Sequence, residues 1–482
     1  MHIRFVLIFS VALCFCCSCS KLVEIDPPRN TITTGQVFTT DAQATSAMAG
    51  VYINMLTYGA LGSGRITLLT GNSSDELVGY GGVNAAFYFF NANRLQLKDA
   101  PADLWNNIYQ SVYDANAVME GIAASTSTML HDDVKKTLTG EAKFVRAFSY
   151  FYLTNLFGDV PLALTVDFNK TKQLPRAPQA EVYKQVIRDL QDAAALLPED
   201  YSAGNGGLRV RPNKWAATLL LARALLYTGN YTDAVTQATA VIDHASLYGL
   251  ESNLNNVFST TSREAIWQLQ QDVANSMTFN ATFEGCTFLP APLHTGQAYY
   301  YLSPELLSAF EPGDKRRADW VDSTDNSSSS GAAGNYRYPF KYKVGNANND
   351  RSGTGTATEY YVMLRLAEAY LVRAEASAHG AGGGASAAIA DLDIIRRRAG
   401  LPDLSSNLNQ TQLLAAVAKE RQTEFFCEWG HRWFDLKRTG RATQVLSAIP
   451  LKLPWQGDFQ LLYPIPLTEI QKDPYLKQNP GY

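Results

Sequence analysis

The sequence has little charge, few cysteines and a single long apolar run. Of its 482 residues only 18% are charged, with 41 Lys and Arg against 45 Asp and Glu. This balance excludes the strongly basic surface of a nucleic-acid-binding protein. The six cysteines, four of them before residue 20, exclude a scaffold held together by disulfides. The apolar run at residues 5–17 is terminal, so a bundle of membrane-spanning helices is excluded too.

Motifs for catalysis and cofactor binding are also missing. The six histidines are scattered, and the sequence has no His-Glu-x-x-His zinc pair, no nucleophile elbow and no phosphate-binding loop. Asp75 and Glu76 are adjacent, whereas the two carboxylates of a glycosidase must lie on opposite sides of a sugar bond. We therefore predict that the protein is not an enzyme and has no catalytic residues, no metal ligands and no cofactor.

The N-terminus predicts export and lipidation. Arg4 precedes an apolar run of 13 residues, which suits a signal peptide and is too short to span a bilayer. Residues 16–21 resemble a bacterial lipobox, which implies cleavage before Cys19 and acylation of Cys19. We assign residues 1–18 to the signal peptide and 19–38 to a lipidated tether. Two alternatives remain: a plain secretion signal with incidental cysteines, and acylation at Cys17.

What is abundant is helical periodicity, and it predicts a mainly α body over residues 39–482. Two predicted helices joined by Gly229 and Asn230 have the layout of a tetratricopeptide repeat unit. The predicted helices include 132–157, 179–197, 215–227, 231–244, 361–378 and 387–399, and one short strand is predicted at 265–270. The pairs therefore fall within about 132–248 and 361–440. Two segments outside these pairs, about 58–99 and 276–330, are predicted to be loop regions.

Several stretches of the sequence match a known family in the order in which that family has them. They are 140–148, 157–162, 364–371, 374–376, 395–400, 420–421, Glu424, 430–438, 463–466 and 478–482. Together they resemble the SusD/RagB family of nutrient-binding outer-membrane lipoproteins of Bacteroidota. The resemblance implies a right-handed superhelix of tetratricopeptide-like helix pairs with long inserted loops. It also implies a partner, a SusC-like TonB-dependent transporter over which the lipoprotein sits as a lid.

The resemblance also implies where ligand contacts lie. Asp75 is similar to an acidic contact in the family's first loop, with Tyr80 and Phe89 as aromatic neighbours. Tyr300 and Trp320 come from the second loop region. Aromatic rings offer flat faces for sugar C–H groups, and for each residue the alternative is packing against the body. Of the consecutive tyrosines 299–301, at most two are expected to face a ligand.

The C-terminal third carries a group of charged residues that could suggest acid–base chemistry. We interpret these residues as an internal salt-bridge network, and Arg396, Arg397 and Arg398 as a charge cluster at a helix C-terminus. The network residues are Glu420, Arg421, Glu424, Glu428, Arg432 and Asp435.

Three hypotheses for function follow. The first is an outward-facing, lipid-anchored outer-membrane protein that binds an oligosaccharide and delivers it to the transporter. The second keeps this role but with peptide or other nutrient cargo. The third is a helical-repeat scaffold without a small ligand, and it predicts that the two loop regions form no shared concave surface.

Overall fold

The computed structural model describes residues 37–56, 61–81, 87–329 and 332–482. The predicted signal peptide, Cys19 and nearly all of the predicted tether lie outside these residues. Within the part that is described, no helix combines the length and the apolar character needed to cross a membrane.

Helices account for most of the described chain. They are α1 (Asp41–Met55), α2 (Arg65–Ser73), α3 (Tyr88–Asn91), α4 (Ala102–Ala124), α5 (Asp132–Phe157), α6 (Phe168–Thr171), α7 (Gln179–Leu196), α8 (Lys214–Tyr227), α9 (Tyr231–Ile242), α10 (Phe283–Phe288), α11 (Pro304–Ala309), α12 (Lys315–Trp320), α13 (Leu366–Ala378), α14 (Gly384–Arg398), α15 (Gln410–Glu424), α16 (His431–Arg438), α17 (Ala442–Leu446) and α18 (Leu467–Lys472).

The strands are short and form four separate antiparallel pairs. They are β1 (Leu77–Gly79), β2 (Val160–Pro161), β3 (Arg176–Ala177), β4 (Ala265–Leu269), β5 (Tyr300–Leu302), β6 (Val321–Thr324), β7 (Tyr336–Pro339) and β8 (Tyr361–Arg365). The pairs are β1–β5, β2–β3, β4–β8 and β6–β7. The predicted mainly α fold is confirmed.

The long helices pack on one another in a continuous stack. Along the stack, α1 packs on α4, α4 on α5, α5 on α7, α7 on α8, α8 on α9, α9 on α13, and α13 on α14 and α15. Asn213 caps α8 by accepting hydrogen bonds from the next turn, and Gly229, with φ of +75°, makes the left-handed turn into α9. The segment between α9 and α13 holds β4 to β8. It separates these two helices along the chain, but α9 still packs directly on α13.

Two predicted elements are wrong. Residues 361–365 are the strand β8, not the start of a helix; they pair with β4, and all five are buried. The segment 58–99 is not one long loop, because it contains α2, in which every residue after Arg65 is buried. In both cases the residues are buried on all sides, so the amphipathic period that would identify the element is absent.

The interpretation of the C-terminal charges as an internal network is confirmed. The Glu424 carboxylate lies 2.5 Å from Arg365 and 3.1 Å from Arg316, and it also pairs with Arg398. Through these contacts the last turn of α15 is tied to β8, α12 and α14. Arg396, Arg397 and Arg398 all lie in the last turn of α14, as the prediction of a helix C-terminal charge cluster requires. Arg397 forms an exposed pair with Asp403, whereas the Arg398 side chain is buried against Glu424.

Glu284 is buried and forms no ion pair with any described residue, and it should make stability depend on pH. It accepts a 2.7 Å hydrogen bond from the Tyr361 hydroxyl, and burial raises the pKa of its carboxyl to about 8. The unfolded chain loses this proton near pH 4.5 and the folded chain retains it to about pH 8, so stability should fall as pH rises between these values. The Glu284→Gln variant should remove up to about 1.4 kcal/mol of this loss per pH unit.

Urea unfolding of the parent and the variant at pH 5, 6.5 and 8 measures this effect. The control is Glu181→Gln, which changes a carboxylate whose side chain is 53% exposed and should leave the pH profile as it is. Equal pH slopes for the parent and Glu284→Gln would contradict the assignment.

Candidate ligand-binding site

The two predicted loop regions meet in the strand pair β1–β5. Val78 lies opposite Tyr301 and Gly79 opposite Tyr300, and the Tyr80 amide donates a 2.8 Å hydrogen bond to the Tyr299 carbonyl. A segment near residue 80 and a segment near residue 300 therefore form one surface. The scaffold hypothesis predicted that these regions form no shared concave surface; the strand pair brings them together, and the concavity of the surface stays a prediction.

Three tyrosines cluster where these regions meet, and we call them the tyrosine surface: Tyr80, Tyr301 and Tyr336. The Tyr336 ring packs edge-on against the Tyr80 ring at 5.5 Å and against the Tyr301 ring at 5.2 Å. All three side chains are half-buried, and the adjacent Tyr299 is 65% exposed. The Tyr80 hydroxyl accepts a hydrogen bond from the Ala332 amide. The cluster thus offers aromatic faces and hydroxyls to solvent, held by backbone pairing.

The Tyr301 hydroxyl remains neutral at physiological pH. Burial raises the pKa of Tyr301, and the neighbouring Tyr336 and Tyr80 raise it further. A neutral phenol both donates and accepts a hydrogen bond, as a sugar hydroxyl does. This chemistry suits binding of a polyhydroxylated ligand and provides no acid–base pair.

Tyr300, which was predicted to contact ligand, faces inward. Side chains alternate across a strand, so Tyr299 and Tyr301 lie on one face and Tyr300 on the other. Tyr300 is 9% exposed, and its ring lies 6.4 Å from those of Phe87 and Phe288. At most two of the three tyrosines face outward, as expected, but the residue chosen from them was the inward one.

Trp320 was also predicted to contact ligand, and the structure places it in the core. It is fully buried at the end of α12, and its indole nitrogen donates a 3.0 Å hydrogen bond to the Leu254 carbonyl. The buried Lys341 ammonium lies 4.7 Å from its ring centroid. The polar sequence around it suggested an irregular surface segment, but the ring has no exposed face for a ligand.

The Trp320→Phe variant should therefore affect stability and leave oligosaccharide binding unchanged. Loss of the indole leaves the Leu254 carbonyl without its donor and opens a small cavity, which should cost about 1–3 kcal/mol of unfolding free energy. Urea unfolding and calorimetric titration of the same preparation measure both quantities. If Trp320→Phe binds the oligosaccharide more weakly while its unfolding free energy is unchanged, Trp320 contacts the ligand after all.

Asp75 is engaged within the body. It is 4% exposed, and its two oxygens accept hydrogen bonds of 2.7 and 2.6 Å from Arg432 on α16. Its carboxylate therefore ties the end of α2 to α16, and this pairing is its evident role. Of the predicted contacts, only Tyr80 lies in the tyrosine surface.

Phe89 lies elsewhere, half-buried in α3. Its ring packs against Tyr88 at 5.6 Å and lies 5.2 Å from the Lys98 ammonium. Among the described residues, no ring contact links Phe89 to the tyrosine surface.

The sequence prediction did not include Tyr336 among the ligand-binding residues. The alternation of Tyr336 and Tyr338 is nevertheless typical of a half-buried strand. Cys286 and Cys427 are both free thiols. Within the described ranges, no group of His, Cys, Asp and Glu is arranged to hold a metal ion.

The fold and this site define a class of protein: a stack of helix pairs whose inserted segments carry an aromatic surface. Comparison with known proteins identifies the family. Residues 277–482 match the model described as the SusD family, and residues 70–226 match the model described as "Starch-binding associating with outer membrane". The chain belongs to the SusD/RagB family.

Relatives agree with this assignment. The SusD-like protein P25 of Formosa agariphila is 24% identical over 286 residues, which are 56% of this chain and 52% of that protein. The chain spans about half the length of the curated relatives it matches.

Solved structures show the same fold over more of the chain. A SusD superfamily protein from Bacteroides vulgatus has a TM-score of 0.77 at 19% identity, covering 92% of this chain and 100% of its own. A laminarin-binding SusD-like protein has a TM-score of 0.74 at 24% identity, again over 92% and 100% of the two chains.

Proposed function

We propose that this protein is a non-catalytic outer-membrane lipoprotein that binds an oligosaccharide at its tyrosine surface. The observation that carries the proposal is the convergence of Tyr80, Tyr301 and Tyr336 from three separate segments on one partly exposed surface. Half-buried tyrosines combine a rigid apolar face with a polar hydroxyl, which suits the alternating C–H and O–H groups of a pyranose. The laminarin-binding protein of the same fold supports a glycan as cargo.

The membrane attachment in this proposal is through Cys19. Each buried CH₂ of an acyl chain contributes about 0.8 kcal/mol, and stable anchoring takes more than one chain. Acylation of both the sulfur and the amine of Cys19 meets that requirement. The protein faces the cell exterior and delivers its ligand, as a lid, to a SusC-like TonB-dependent transporter.

Calorimetric titration of the purified full chain, in mild detergent, against a panel of neutral oligosaccharides tests the binding step. We expect saturable binding of at least one glycan, with no cleavage products in the chromatographed mixture. Binding of peptides and of no glycan would favour the alternative cargo. Absence of binding for both glycans and peptides would overturn the proposal that the tyrosine surface binds a nutrient.

The anchor and the partner are tested in cells. Metabolic labelling with an alkyne fatty acid should mark the parent and should be lost in Cys19→Ala. Pull-down of the parent from detergent-solubilised membranes should recover a large TonB-dependent barrel. Labelling that persists in Cys19→Ala, or recovery of no barrel, would contradict the corresponding part.

A further inference from the structure

A second cavity, separate from the tyrosine surface, runs along α4. It has a volume of about 840 Å³ and is bounded by α4, by the segment 161–174 that contains α6, and by α18. We call it the α4 cleft, and none of the residues that line it belongs to the tyrosine surface. The volume falls within the usual range for small-ligand sites, about 300–1,000 Å³.

The wall of the α4 cleft that faces α4 is held in place by hydrogen bonds. The Ala163 carbonyl accepts bonds of 3.1 Å from the Asn116 side chain and 2.8 Å from the Tyr150 hydroxyl. The Pro161 carbonyl accepts a 2.8 Å bond from the Tyr109 hydroxyl. These bonds tie the segment to α4 and α5, so the cleft is preformed and a ligand need not order its walls.

Two aromatic rings with large exposed faces line the α4 cleft. The Tyr113 side chain on α4 is 52% exposed, and that of Phe168 on α6 is 71% exposed. Phe168 is held outward by a capped turn, in which the Asp167 carboxylate accepts a 3.0 Å hydrogen bond from the Asn169 amide. Neither ring packs on another aromatic ring within the described ranges. Exposed apolar surface gathered at a cavity is typical of a binding site.

The side-chain amides of the α4 cleft are accessible to a ligand. Asn106, Gln110 and Gln173 are all exposed, and the side chains of Asn106 and Gln173 make no hydrogen bond to any described residue. Gln110 donates a 2.8 Å bond to Asp114, which leaves its carbonyl oxygen as an acceptor. Asn106, Gln110 and Tyr113 are four and three residues apart, so they form one stripe along α4. An amide donates and accepts hydrogen bonds, as a sugar hydroxyl does.

The charges of the α4 cleft balance. Its lining holds two cations, Lys172 and Lys472, and two carboxylates, Glu469 and Asp473. The Lys472 ammonium lies 2.8 Å from the Glu469 carboxylate. A lining without net charge gives no advantage to an anionic or a cationic ligand, and it suits a neutral one.

We propose that the α4 cleft is a second glycan-binding site, which takes a short neutral oligosaccharide. The exposed faces of Tyr113 and Phe168 cover the C–H groups of the sugar rings, and the exposed amides bond their hydroxyls. The proposal goes beyond binding at the tyrosine surface and does not depend on it, since the two sites share no residue.

The double variant Tyr80→Ala and Tyr301→Ala isolates the α4 cleft, because both changes lie in the tyrosine surface. The full chain carrying both changes is titrated calorimetrically with maltohexaose, cellohexaose, laminarihexaose, xylohexaose and mannohexaose. We expect saturable binding of at least one of these neutral probes. Binding of none would overturn the proposal. Tighter binding of hexagalacturonate, or of a proline-rich decapeptide, than of every neutral probe would overturn it too, because the cleft would then select an acid or a peptide.

Further substitutions in this double variant assign the binding to the α4 cleft. Phe168→Ala and Tyr113→Ala should each weaken it by severalfold to about tenfold, because each removes a stacking face. Asn106→Ala should weaken it severalfold through the loss of one hydrogen bond. All three side chains are exposed, so the melting temperature should change little.

The matched control is Tyr475→Ala, which removes a ring that is 59% exposed and does not line the cleft, and it should leave the affinity unchanged. Full affinity in both Tyr113→Ala and Phe168→Ala would place the residual binding elsewhere and reject the proposal. Phe168→Ala in the parent chain should keep the binding that Tyr80→Ala and Tyr301→Ala remove. Failure at the tyrosine surface and failure at the α4 cleft therefore give different results.

Discussion

Replacing Glu424 with alanine should destabilise the folded chain by about 3–5 kcal/mol. The carboxylate is shared by Arg316, Arg365 and Arg398, whose side chains are 1%, 3% and 5% exposed. Burial alone would raise the pKa of Glu424, but the three arginines hold it well below its ordinary value. Without this carboxylate, three buried guanidinium groups compete for the remaining acids. The melting temperature and the midpoint of urea unfolding measure the loss.

The sign of the pH dependence follows from the same pairs. Because the folded pKa of Glu424 lies below its unfolded value of about 4.5, its stabilisation is present above pH 4.5 and is lost only as the pH falls through the folded value. The difference between the parent and Glu424→Ala should therefore be full at pH 7 and shrink in strong acid.

A matched control separates burial from charge pairing. Asp403→Ala breaks the pair with Arg397, in which the two side chains are 48% and 61% exposed, and should cost no more than about 1 kcal/mol. If Glu424→Ala and Asp403→Ala lower the melting temperature equally, the buried network does not have the role assigned to it.

The second large effect concerns binding. Tyr301→Ala should weaken binding of the oligosaccharide found in the panel at least about tenfold, and the double variant with Tyr80→Ala about a hundredfold, because each ring supplies a stacking face. Both side chains are half-buried at the surface, so the melting temperature should change little. Calorimetric titration gives the dissociation constants.

Two controls make this test specific. Tyr301→Phe keeps the ring and removes only the hydroxyl, so it should lose less affinity than Tyr301→Ala. Tyr475→Ala removes a ring that is 59% exposed and does not belong to the tyrosine surface, and it should bind as the parent does. If Tyr301→Ala retains full affinity, glycan binding does not occur at the tyrosine surface.

Local sequence signals predicted the long helices because those helices bury one face or end at a clear stop. The helix α5 was predicted with its observed bounds, since Gly158 and Pro161 follow its last apolar turn. The α8–α9 pair was predicted because Gly229 and Asn230 separate two periodic runs. The charged residues of α15 and α16 were interpreted correctly as a network because the family resemblance placed them in the scaffold. The partners of Glu424, which are Arg316, Arg365 and Arg398, lie on other elements.

The site was predicted less well, because exposure is not encoded in the type of a residue. Tyr299, Tyr300 and Tyr301 are identical in chemistry, and only the pairing of β5 with β1 decides which of them faces outward. Trp320 has polar neighbours in sequence but aromatic neighbours in space, with Phe258 at 6.0 Å. Tyr336 contacts Tyr80 across more than 200 residues of chain and Tyr301 across more than 30, which no local pattern reveals.

By itself, the sequence determined the balanced charge of the chain and most of its long helices. These properties follow from local periodicity, turn residues and motifs that lie within a few turns of one another. The tertiary structure alone decided which aromatic rings face solvent and that the Asp75 carboxylate pairs with Arg432. Each of these depends on contacts between residues distant in sequence, and burial and charge neutralisation exist only once those contacts have formed.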